Sequence, residues 1–205
     1  MSPSYGDSVD SSFDEGRNVL VMTDGRSNEP LVNGETLSTF EGGRQWCLLY
    51  VAYGGLRGER IGSSIRRLDD PPVGGTILLV DDDSESRARS VRDALPAGRF
   101  SVEHLDDPTN LTSLGVRVSE LLDEMPAAGE RPVVCFDSVT ELVSRVDLQN
   151  AFRFLHVMAG VVDRQGVIAC YHLDPEGQDE QLITLLGELV TDVVDRTPTD
   201  GDRSR

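Results

Sequence analysis

Lysine is absent from this chain. All 19 basic side chains are arginine, they face 36 acidic ones, and the formal net charge is −17. Aspartate outnumbers glutamate, 22 to 14. Without lysine there is no ammonium to set on the terminal phosphates of a nucleotide, as a phosphate-loop hydrolase requires. Without a basic stripe there is nothing to release counterions from DNA or RNA, so nucleic acid is excluded as the main ligand. The densest basic spots, Arg66–Arg67 and the group Arg87, Arg89 and Arg92, have acids beside them and read as solvated helix faces. A surface of short carboxylates without lysine stems suits molar salt, where the Debye length falls to about 3 Å and self-repulsion is screened. The composition is therefore that of a salt-adapted protein.

Other scarcities narrow the class further. No apolar run approaches the roughly 18 residues of a membrane span, and no basic segment followed by an apolar stretch opens the chain. A cytoplasmic location is expected. The three cysteines, Cys47, Cys135 and Cys170, are far apart in sequence and each lies inside an apolar run. That spacing fits no zinc or redox motif and predicts buried free thiols.

The length of 205 residues suits one domain with short tails. Residues 1–15, rich in Ser, Asp and Gly, predict a disordered tail, as do residues 196–205. Between them, continuous apolar runs occur at Asn18–Met22, Cys47–Ala52, Thr76–Val80, Val133–Phe136 and Val167–Tyr171. Continuous rather than alternating runs predict parallel strands covered on both faces. A weaker sixth strand is expected near Asp192–Val194. Stripes at helical spacing run through Leu111–Leu122, Leu148–Val162 and Leu182–Leu189, with a shorter one at Ile61–Leu68, and Asp147 is placed to cap the second of these. Strands alternating with helices imply crossover units and a mostly parallel sheet inside a three-layer α/β fold.

In such sheets ligands bind beyond the carboxyl ends of the strands. After the first run comes Thr23-Asp24-Gly25-Arg26-Ser27-Asn28-Glu29-Pro30, where a phosphate loop would sit. It has one glycine and two acids that repel phosphate, and Arg26 is its one cation. After the third run come Asp81, Asp82 and Asp83. With Arg87 and Arg89 they resemble the opening of a phosphoacceptor receiver domain, with Asp137 as the acceptor. That reading lacks the lysine a receiver needs, and two apolar strands precede the run that should come first. After the fourth run come Asp137 and Ser138. The carboxylate there suits either a magnesium ligand or a structural cap of the next turn. After the fifth run come His172 and Asp174, and His172 reads as a hydrogen-bonded surface histidine. No metal-ligand spacing or nucleophile elbow is present.

The stretch Pro132–Leu142 (PVVCFDSVTEL) resembles the magnesium-binding strand of the RecA/KaiC-like ATPases, which ends in an Asp-Ser pair. Ala151–Gly160 (AFRFLHVMAG) and Gly166–Pro175 (GVIACYHLDP) keep the same order, and the core from about Arg17 to Asp195 resembles a haloarchaeal group related to these ATPases, sometimes labelled transducer-like. The resemblance implies a RecA-like (P-loop NTPase-like) fold over residues 16–195. It places Asp137 at the magnesium position. The phosphate loop is unmatched, and Tyr53, Gly54 and Gly55 stand where the family has its catalytic carboxylate.

These readings predict a non-catalytic regulatory or signalling adaptor in a halophilic archaeon. It would need no cofactor, act through a protein partner without membrane or nucleic acid, and be compatible with a homo-oligomer. The first alternative is a lysine-free nucleotide switch, with magnesium on Asp137 and the phosphates of ATP or GTP on Arg26. The second is a small-molecule sensor or enzyme using Asp82, Asp137 and His172. Candidate ligand residues are Asp24, Arg26, Asp137, Ser138 and His172, with Asp137 the candidate metal ligand.

Overall fold

A computed structural model of the chain describes residues 16–24, 45–54, 58–68, 70–125 and 130–197. Seven strands form one sheet: β1 (Arg17–Met22), β2 (Trp46–Tyr53), β3 (Gly74–Val80), β4 (Phe100–Leu105), β5 (Arg131–Asp137), β6 (Ile168–Leu173) and β7 (Asp192–Asp195). Their order is β4-β3-β2-β5-β6-β1-β7, and every pairing is parallel. The apolar runs became the inner strands because a strand covered on both faces has no solvated side. All eight residues of β2 and all six of β6 are buried. The weak sixth run is β7, on the edge beside β1.

Six described helices cover the sheet: α1 (Gly58–Arg66), α2 (Ser84–Ala94), α3 (Leu111–Glu124), α4 (Val139–Arg145), α5 (Leu148–Gln165) and α6 (Glu180–Leu189). Helices α1 and α2 pack Ile61, Ile65, Ala88 and Val91 against one face. Helices α3 to α6 pack Leu114, Val118, Leu142, Phe154, Met158 and Leu186 against the other. Asp147 caps α5 as its sequence predicts, accepting from the Asn150 N–H at 2.9 Å. Gly166 ends that helix in the left-handed region at φ 63°. Across the α3–α6 face, the Phe136 ring lies 5.9 Å from Tyr53, 6.0 Å from Phe154 and 6.3 Å from Tyr171. Burying such a ring contributes about 1.5–3 kcal/mol.

Two elements lack a clear sequence signal. Strand β4 (FSVEHL) alternates, lies on the edge and buries only Val102. Helix α2 (SESRARSVRDA) buries only Ser84, Ala88 and Val91, too few for an apolar stripe. The expected N-terminal tail lies outside the described residues, as do residues 198–205. Arg196 and Thr197 are described, and the Arg196 N–H donates to the Met22 carbonyl at 2.8 Å. No described helix is long and apolar enough to cross a membrane.

All three cysteines are buried and unpaired, as expected. Cys135 and Cys170 face each other in register across β5 and β6. Burial pushes the Cys170 thiol up to about 12. Burial, with Glu130 adding to it, raises Cys47 to about 11. Cys135 is driven well above the ordinary value, chiefly by burial and then by Asp137. Each thiol therefore loses its proton more readily in the unfolded chain, and folding stability should fall as pH rises above the ordinary thiol value of 9.0. At pH near 8 a disulfide reagent should leave the native protein untouched and titrate all three thiols once denaturant is added. Rapid modification of the native protein would contradict this placement.

Candidate functional site at the carboxyl edge of the sheet

The chain leaves β2 and β3 toward the β4 edge over the α1–α2 face. It leaves β5 and β6 toward the β7 edge over the other face. The two directions diverge between the adjacent strands β2 and β5, the position where open α/β sheets form their ligand crevice. At that crevice Ala52 is in register with Asp137.

Asp137 is the last residue of β5 and is buried. Its side chain alternates onto the α1–α2 face with Val133 and Cys135. Tyr50, three places before the end of β2, donates its phenol to Asp137 Oδ2 at 2.6 Å. The β5–β6 register runs to Phe136 opposite Tyr171, so the next step sets His172 beside Asp137 on the same face. Tyr50, Asp137 and His172 thus form a buried polar row across three neighbouring strands. The prediction of a surface histidine is corrected here. Strand β6 continues to Leu173 between β5 and β1, which leaves His172 only 2% exposed. The structural-cap reading of Asp137 is corrected too. The cap of α4 is Ser138, whose Oγ accepts from the Glu141 N–H at 3.2 Å. The peptide between Asp137 and Ser138 is cis. Asp174 is fastened to α4, its N–H donating to Thr140 Oγ1 at 2.8 Å.

A second cluster surrounds the end of β3. Asp81 is 5% exposed and accepts Arg87, from α2, as an ion-pair partner. From the opposite layer Arg145, the last residue of α4, reaches Asp81 at 3.5 Å, Asp82 at 2.8 Å and Glu141 at 3.8 Å. Glu141 lies over the end of β2. Gly54 (φ +85°) makes room for it, since a Cβ there would come within 2.6 Å of the Glu141 side chain. Tyr53 ends β2 beneath this cluster and donates to the Pro108 carbonyl at 2.5 Å. Burial raises its phenol to about 12, with Arg145 opposing and Asp107, Asp82 and Glu141 reinforcing.

The five candidate residues are only partly gathered. Asp137, Ser138 and His172 come together. Asp24 stands two residues beyond β1, half-buried, and its Oδ1 accepts no hydrogen bond from the described residues. Arg26 lies outside the described residues. Asp82 belongs to the other cluster: strands are about 4.8 Å apart, so β3 lies about 9.6 Å from β5 and about 14 Å from β6. A first shell shared by Asp82, Asp137 and His172 is therefore corrected to two separate groups. Magnesium demands near-octahedral oxygen ligation. Asp137 brings one carboxylate with an oxygen already committed to Tyr50, and its strand neighbours are Ala52 and His172. No group of three or more His, Cys, Asp or Glu suited to a metal occurs among the described residues. Tyr50, Glu141 and Arg145 escape a reading of sequence alone. Tyr50 sits inside an apolar run, and Arg145 looks like an ordinary basic residue in a last helical turn.

The profile described as "Family of unknown function (DUF7504)" matches residues 10–195. No curated protein matches the chain. Among solved structures, a protein of Pyrococcus horikoshii OT3 designated PH0250 is similar at TM-score 0.54 and 13% identity, over 92% of this chain and 85% of its own. The KaiC-like protein PH0186 of the same hyperthermophilic archaeon is similar at TM-score 0.52 and 12% identity, over 91% of this chain and 73% of its own. At such identities the likeness speaks to the fold, which is the expected three-layer RecA/KaiC-like arrangement.

Tyr50→Phe removes the donor to a buried carboxylate oxygen and should lower stability by about 1–3 kcal/mol in denaturant unfolding. An unchanged unfolding midpoint would show that the phenol does not hold Asp137.

Proposed function

This chain belongs to DUF7504, a family of unknown function, and we propose that it is a non-hydrolysing regulatory or signalling adaptor built on a RecA/KaiC-like fold. The observation that carries this reading is the occupation of the strand-end carboxylates by the protein's own donors. Tyr50 holds Asp137, and Arg87 and Arg145 hold Asp81, Asp82 and Glu141. Phosphoryl transfer depends on cations and oriented donors that remain open toward the transferring group. Among the described residues the cations near the crevice, Arg87 and Arg145, are engaged by internal acids, and the chain has no lysine. The segment after β1 is a degenerate phosphate loop on this account. The acidic, lysine-free composition supports a setting in the salt-rich cytoplasm of a haloarchaeon, where the protein acts through a protein partner.

A second reading rests on Asp24. Its Oδ1 is an acceptor at the carboxyl edge with no donor among the described residues, as a ligand-holding switch would leave it. Such a switch would bind a nucleotide without lysine, with Arg26 on the phosphates, since arginine can supply affinity where lysine is missing.

Phosphate release from ATP and magnesium should separate adaptor from enzyme. In multimolar KCl the wild-type protein should release phosphate no faster than Asp137→Ala. Turnover that disappears in Asp137→Ala would overturn the adaptor reading.

A further inference from the structure

We draw no further inference here: the strongest candidate, the groove of about 970 Å³ between helices α3 and α5 with the exposed Val116 and Val157 on its walls, carries none, because nothing in the structure shows what covers it.

Discussion

Asp81 is a buried carboxylate at the end of an inner strand, and its two counter-charges come from opposite layers of the fold. Arg87 reaches it from the α1–α2 side, and Arg145 reaches it from the far end of α4. Removing one partner of a fully buried pair costs about 3–5 kcal/mol. The cost here is smaller, because both guanidinium groups are partly open to water. Position matters more than energy. Arg145 also binds Asp82 and Glu141, so one side chain ties β3, the end of β2 and α4 together across the crevice. Arg145 is thereby engaged by three acids of the same molecule.

The same economy governs the neighbouring strands. Asp137 ends β5 at the crevice, where Tyr50 donates to one of its oxygens and His172 holds the adjacent strand position. In a chain whose only cations are arginines and whose acids outnumber them by nearly two to one, a free guanidinium is scarce. Among the described residues at the crevice, Arg87 and Arg145 are committed to acids.

Much of the fold could be read before the structure. Strands β2, β3, β5 and β6 announce themselves as continuous apolar runs because burial on both faces removes any need for polar alternation. Helix α5 is legible because Asp147 and Gly166 mark its ends and its stripe is wide. Strand β4 was not legible, since an edge strand with one buried residue resembles a polar loop. The site was less readable. Asp137 and His172 could be found from their places at strand ends. Their separation from Asp82 could not, because strand order depends on which crossover passes over which neighbour. The roles of Tyr50 and Arg145 depend on partners 87 and 64 residues away in the chain, and no local pattern encodes such pairings.

The adaptor reading requires that the carboxyl edge, with Asp81, Asp82 and Asp137 held by the protein's own donors, takes up no nucleotide. Calorimetric titration of ATP with magnesium into the protein in multimolar KCl tests it most directly. The account predicts no heat of binding at any of several temperatures, down to an affinity of about 1 mM, near −4 kcal/mol. Binding tighter than that, abolished by Asp137→Ala, would contradict it.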